Sequence, residues 1–407
     1  MTNTLYDTLF GPHTENDAPF LTCDDGRVVS FRDFVARAAQ IAHVLTAHGI
    51  GPGDRVLVQA PKQVDTLALY AAAIQVGAVY LPLNTAYTQA ELAYFAKDAT
   101  PGLIVCNAAN LADMAPLADQ IGASVLTLSS DGGTLSSASD GQHTTFETVD
   151  RGPDDLAALL YTSGTTGRSK GAMLTHKNLL SNAKVLTAHW HMTASDELIH
   201  ALPIFHTHGL FVALNTALIS GAHVRLIETF SVDAIIAALP TATLMMGVPT
   251  FYTRLLDDDR FSKALVTNMR LFISGSAPLL AETHTAFEEL TGHRILERYG
   301  MTETNMITSN PYDGDRIAGT VGFPLPEVGV RIVNTQTQQP VQPGEIGMIE
   351  VCGDNVFQGY WNMPEKTAEE MHADGYFMTG DLATAGADGR ITIVGRAKDL
   401  IISGGYN

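Results

Sequence analysis

Between residues 28 and 128, short apolar runs alternate with amphipathic stretches, and no other feature constrains the fold as strongly. Residues 31–48 carry apolar side chains at helical spacing. Residues 55–58 form a short strand after the turn Gly51-Pro52-Gly53. Val64–Gln75 then reads as a helix, 78–81 as a strand, 89–97 as a helix and 103–106 as a strand. Strands separated by about 10–15 helical residues pair in parallel, because the helix must cross back over the sheet. The expected fold class is α/β, with a doubly wound, mostly parallel sheet.

Residues 129–153 are rich in Ser and Asp and predict a surface loop that buries no core. Alternation resumes over 155–320, which predicts a second sheet of the same kind. From Gly322 onward, Pro324, Pro326, Pro340 and Pro343 punctuate short strands, so a smaller, β-barrel-like subdomain is expected. The pattern stops at Asn407 without a closing helix or cap, as in a piece of a longer protein.

The 407 residues hold 24 Lys+Arg against 43 Asp+Glu, a formal charge of −19. Such a surface repels phosphate backbones and anionic membranes, which argues against nucleic acid or a stable membrane association as partners. Small anions can still bind where cations and backbone N–H groups gather. Cys23, Cys106 and Cys352 lie far apart, with no metal-ligand or redox spacing. The first basic residue is Arg27, so no targeting signal is read. The apolar stretch 67–83 is broken by Gln75, Gly77 and Pro82 and reads as a helix followed by a buried strand. A reducing, cytoplasmic location fits these features.

An apolar strand over 156–161 runs directly into Thr162, Ser163, Gly164, Thr165, Thr166, Gly167, Arg168, Ser169, Lys170 and Gly171. The glycines allow a tight turn and close approach of the backbone to a ligand. Hydroxyls and free N–H groups can cradle phosphate oxygens, and Arg168 and Lys170 place cations in an otherwise anionic chain. A Walker loop needs Ser or Thr after its lysine to hold Mg²⁺, whereas Gly171 follows Lys170, so a P-loop phosphotransferase is disfavoured.

This loop resembles the signature of the acyl-adenylate-forming (AMP-binding) superfamily, in its acyl-CoA synthetase branch. Further resemblances follow in the family's order: Pro203 to Gly209, Tyr299-Gly300-Met301-Thr302-Glu303, Tyr376 to Asp381, and Gly395 to Asp399. The resemblance implies an adenylation domain over about 1–395, with two α/β subdomains to about 320 and a β-rich one over 321–395. Residues 396–407 would be the hinge, Lys398 at its centre, leading into a C-terminal domain. It further implies ATP, Mg²⁺ and coenzyme A as ligands, and an AMP-forming acid–thiol ligase. On this resemblance the loop, with Arg168 and Lys170, holds the β- and γ-phosphates. Thr302 bonds the α-phosphate and Glu303 helps to bind Mg²⁺. Ser276, Ala277 and Pro278, together with Glu297, Arg298 and Tyr299, border the nucleotide, and Asp381 and Arg396 hold the ribose.

His206 and His208 sit two apart with no further ligands in sequence reach, which does not make a metal site. The resemblance places His206 at the wall of the acyl pocket; His208 is left unassigned. Arg298 precedes the nucleotide motif at a position bordering that pocket. A buried Arg needs an anion. That anion is either a second carboxylate on the substrate or a protein acid such as Glu297 or Asp381. Segments 295–308, 205–211 and 247–254 resemble the malonate-ligating members, with Thr207 and Met306 lining a short pocket. Malonate is the expected acid, and another short acid such as methylmalonate is the alternative. As a fragment, the chain is expected to bind nucleotide but to be poorly active.

Overall fold

The computed structural model describes residues 3–162 and 168–399. Ser163, Gly164, Thr165, Thr166 and Gly167, expected at the phosphate loop, lie outside the described residues, as does the segment after Asp399.

Three sheets organise the described chain. The first has six strands in the order Ser124–Thr127, Leu103–Cys106, Arg55–Gln59, Val79–Pro82, Leu156–Thr162, Lys170–Thr175. All its pairings are parallel except the last. The second has nine strands, with the parallel strands Leu296–Met301, Leu271–Ser274, Leu244–Gly247, Glu197–His200 and His223–Leu226 at its centre. The third is a small antiparallel sheet of four strands, from Gly329–Val333 to Ile391–Arg396. No helix among the described residues is long and apolar enough to cross a membrane.

Local chemistry accounts for the helices that cover these sheets. Phe31–Ala47 starts where the Ser30 hydroxyl accepts from Asp33 N at 3.0 Å. Its Phe34, Val35, Ala38, Ile41, Ala42 and Leu45 are buried at the 3–4-residue spacing of one helix face. Gln89–Ala99 starts with a full capping box between Thr88 and Glu91. Val64–Gln75 is sandwiched in the main core and is buried at nearly every position, so its sequence is mostly apolar, with Asp65 the charged exception.

Two long-range features differ from the sequence reading. The division near residue 155 is not where the sheets separate. Strands Leu156–Thr162 and Lys170–Thr175 complete the first sheet, while Pro19–Cys23 joins the second by pairing with His223–Leu226 and Val28–Ser30 pairs with Pro19–Cys23 at its edge. Which sheet a strand joins depends on partners some 200 residues away, which local alternation cannot encode. The stretch 129–153 also does more than loop over the surface. It contains the helix Thr134–Ser139, whose Leu135 is fully buried, while Ser136 and Asp140 bond Arg37 and its partner Asp65. One leucine and a cluster of polar bonds suffice to dock a segment whose composition resembles a loop.

The first two sheets are tied together by a buried lysine. Lys62 lies just after the strand Arg55–Gln59. Its Nζ donates to the carbonyls of His200 (2.8 Å), Leu202 (2.9 Å) and Ile227 (2.7 Å) on the second sheet, and lies 2.9 Å from His200 Nδ1. His200 Nε2 is 2.8 Å from the Gly209 carbonyl, which can only accept. The ring therefore carries its proton on Nε2 and offers Nδ1 to Lys62. Burial pulls the Lys62 ammonium well below the usual lysine range. Four acceptors surround Nζ, however, and an ammonium with three hydrogens meets more of them than an amine with two, so the geometry favours the ammonium. Replacing Lys62 by Met strands the Leu202 and Ile227 carbonyls at roughly 1–3 kcal/mol per unsatisfied group, while the His200 carbonyl still accepts from Ile227 N. We expect Lys62→Met to lower unfolding stability by at least ~2 kcal/mol in urea titrations; an unchanged midpoint would mean the two sheets are held by packing alone.

Candidate active site

A cavity of about 630 Å³ opens where all three sheets meet. Its walls come from residues at or just beyond the carboxyl ends of parallel strands: Thr162, Leu202, Val248 and Ser276. Open α/β sheets bind ligands at this edge, where crossovers leave the backbone unpaired. The third sheet contributes Met348, Met378, Thr379, Gly380 and Arg396, so the cavity is roofed by the small domain.

One end is cationic and dry. Arg298 lies in the strand Leu296–Met301 and is 3% exposed. Its Nε and Nη2 have no hydrogen-bond partner. The acids that sequence offered as partners are engaged elsewhere. Glu297 Oε1 lies 3.3 Å from His284 Nδ1 and accepts from Gly319 N at 3.2 Å. Asp381 accepts from Arg396 Nε at 2.8 Å and from the Tyr299 hydroxyl at 2.6 Å. Burial pulls the Arg298 guanidinium down to about 9, still charged at neutral pH. Around it, Thr207 Oγ1 and His208 Nε2 are also buried without partners, and both residues line the cavity. Burial, then Arg298, hold the His208 imidazole well below its usual range, so it is neutral. Its Nδ1 lies 3.2 Å from Ser276 Oγ. With that hydroxyl donating, Nε2 carries a hydrogen as a further donor. Met306, 2% exposed, helps to close this end. Two unmatched polar residues beside one buried, unmatched cation form a site suited to a small anion.

The other end gathers Lys170, Thr302, Glu303, Tyr360 and Glu370. Burial raises the Glu303 carboxyl, whose Oε1 lies 3.0 Å from the Tyr360 hydroxyl, the one hydrogen of which points to Glu370 at 2.7 Å. Lys170, at the start of its strand, meets Glu370 at 3.2 Å. Arg396 and Lys398 line the rim beside Gly380. Burial also raises the Asp381 carboxyl, against the pull of Tyr299 and Arg396. Each of its oxygens retains a second lone pair for a hydroxyl.

The sequence-selected residues divide accordingly. Thr162, Lys170, His206, Thr207, Ser276, Arg298, Thr302, Glu303, Met306, Arg396 and Lys398 all line the cavity. Ala277 and Pro278 follow Ser276 and are exposed. Tyr299 and Asp381 form a bonded pair behind the lining, and Glu297 is held by its own partners. Arg168 is turned away: its Nε donates to Tyr94 at 2.9 Å, and its Nη2 lies 3.7 Å from Asp98. Sequence reasoning left out Tyr360, Glu370 and Lys62, and it left His208 without a role. A lone Lys or Glu without a local motif carries no signal of what it meets across the fold.

The chain belongs to the AMP-binding enzyme family, whose pattern it matches over residues 12–361. It is 36% identical to a malonate–CoA ligase of Arabidopsis thaliana over 81% of this chain, and it spans only 58% of that relative's length. It is also 34% identical to a feruloyl-CoA synthase of Amycolatopsis over 94% of this chain and 76% of the relative. The crystal structure of ATP-bound MatB from Rhodopseudomonas palustris superposes with a TM-score of 0.98 at 52% identity, covering 100% of this chain and 81% of that one.

Gly275 creates the room for Arg298. A Cβ there would lie 2.6 Å from both Nε and Nη1 of the guanidinium. Gly275→Ala is expected to displace the guanidinium and weaken binding of a dicarboxylate at least tenfold by calorimetry, with nucleotide affinity within about threefold of wild type. Unaltered dicarboxylate affinity would show that Arg298 does not set the anion site.

Proposed function

We propose that this chain is the nucleotide- and acid-binding part of an AMP-forming ligase that joins malonate to coenzyme A. The observation that carries this reading is Arg298, a buried charge with two unmatched N–H groups beside Thr207 and His208. A planar guanidinium fits a carboxylate through two parallel bonds. Monocarboxylic acids offer no such group once their one carboxylate faces the nucleotide. A dicarboxylate of three carbons offers one charge to each end of a short pocket closed by Met306.

In the proposed reaction the proximal carboxylate oxygen attacks the α-phosphorus of ATP. An O–P bond forms, the bond to the β-phosphate bridging oxygen breaks, and pyrophosphate leaves. The acyl-adenylate is then attacked at its carbonyl by the thiol sulfur of coenzyme A, releasing AMP and a proton and leaving the thioester. The chain's residues contribute position and charge. Arg298, with Thr207 and His208, anchors the distal carboxylate so that the proximal one faces the phosphates. Lys170 and Thr302 stabilise charge on the phosphoryl oxygens as it shifts toward the leaving group. Asp381 and Arg396 hold the ribose, His206 lines the acid's path, and Lys398 lies where the following domain would hinge.

Mg²⁺ fits the site. Glu303 is a buried oxygen ligand facing the cavity, and no cluster of three or more His, Cys, Asp or Glu among the described residues forms an all-protein cage. Mg²⁺ typically takes one or two carboxylates and completes its shell with phosphates and water. Glu303 would hold it, and bound Mg²⁺ would neutralise phosphate charge.

The test is substrate discrimination in Arg298→Met. Losing one member of a desolvated charge pair costs ~3–5 kcal/mol, or ~10²–10⁴-fold in kcat/KM for malonate. Butyrate, with no distal charge, should lose far less. The variant without ligand should be at least as stable as wild type, because an unpaired buried charge has been removed. The readouts are pyrophosphate release by the complete protein and thermal unfolding. An equal loss for both acids would place Arg298 in nucleotide binding or the fold and end the malonate reading.

A further inference from the structure

Lys170 is already engaged by a protein anion. Its Nζ lies 3.2 and 3.3 Å from the two carboxylate oxygens of Glu370 and 4.0 Å above the ring of Tyr360. Glu370 ends the helix Pro364–Glu370, in the connection between the strands Gly347–Cys352 and Phe377–Ala385 of the small sheet. Its Oε2 accepts from the Tyr360 hydroxyl at 2.7 Å, and its Oε1 lies 3.0 Å from Lys366. Burial opposes charge on this carboxyl, but Tyr360, Lys366 and Lys170 outweigh it and hold the group below the usual glutamate range. Both Lys170 and Glu370 line the cavity. The ammonium at the phosphate end of the cavity therefore carries an anion of its own.

We infer that Glu370 sets the affinity of the site for the polyphosphate end of its ligand, by competing with phosphate oxygens for Lys170. This rests on the reading that Lys170 meets the β- and γ-phosphates. An incoming polyphosphate must draw Lys170 away from Glu370, or share it, and does so against the carboxylate's repulsion. The competition weakens ATP and pyrophosphate alike, whereas AMP, which lacks those phosphates, escapes it. Uniformly tight binding of substrate and leaving group would slow product departure without lowering the barrier. A protein carboxylate ready to reclaim the lysine favours release of pyrophosphate. Glu370 is in this sense a positioning residue, acting on phosphate through Lys170.

The experiment is calorimetric titration of wild type, Glu370→Gln and Lys170→Ala with Mg·ATP, Mg·pyrophosphate and AMP. Gln keeps the size of Glu and can still accept from Tyr360, but has no charge. The expected result is a ~3- to 10-fold tighter Kd for ATP and pyrophosphate in Glu370→Gln, in line with loss of one partly buried charge pair, and an AMP Kd within about twofold. Lys170→Ala should weaken ATP and leave AMP nearly unchanged. If Lys170→Ala weakens ATP while Glu370→Gln leaves it unchanged, the competition does not exist. If Glu370→Gln weakens Mg·ATP, Glu370 supports the metal or the lysine's aim, and the inference is overturned. Should Lys170→Ala bind ATP as wild type does, the phosphate role of Lys170 itself fails, and the inference with it.

Discussion

A guanidinium buried without an anion is the constraint on which the acid end of this cavity depends. Desolvating Arg298 costs several kcal/mol, and no carboxylate among the described residues pairs with it. The surroundings accommodate the charge instead of neutralising it. Gly275 gives it space, His208 stays neutral beside it, and the Tyr252 phenol lies within its field. A buried arginine left without a carboxylate in a chain with an excess of acids is suited to an external anion, and the size of the closed end limits what that anion can be.

The three-sheet architecture explains how such a site is held. Arg298 and Glu303 come from the second sheet and the turn that follows its strand Leu296–Met301, Lys170 from the first, and Tyr360 and Glu370 from a connection between two strands of the third. The geometry is therefore only as good as the contacts between sheets. Lys62 joins the first two, and through His200 reaches Gly209, at the start of the helical turn that carries His208. The Tyr360 hydroxyl joins Glu303 to Glu370 in the same manner at the opposite end. Polar groups buried at subdomain junctions specify one relative placement, because any other leaves carbonyls or charges unmatched.

How much of this was legible in the sequence depends on distance along the chain. Fold class was readable because alternation is local, and so were Arg298, Thr302 and Glu303, which fall within one strand and its turn. Family resemblance supplied roles for them that spacing alone could not. Lys62 and Glu370 were invisible because their partners lie 138 and 200 residues away. Arg168 shows the converse: its place beside Lys170 suggested the cavity, yet Tyr94 and Asp98 from another helix draw it outward. The exchange of strands between the first two sheets was hidden for the same reason. Whether Arg298 met a protein acid or awaited a ligand was undecidable from neighbours in sequence, and it became decidable only when both candidate acids were found bonded elsewhere.

The most direct measurement is a crystal structure with a stable malonyl-adenylate analogue. The account predicts that the distal carboxylate lies within ~3.2 Å of Nε and Nη2 of Arg298, in a bidentate pair, with the adenylate phosphate toward Lys170 and Thr302. A distal carboxylate directed to solvent while Arg298 remains unpaired, or a guanidinium turned onto the phosphate, would contradict it.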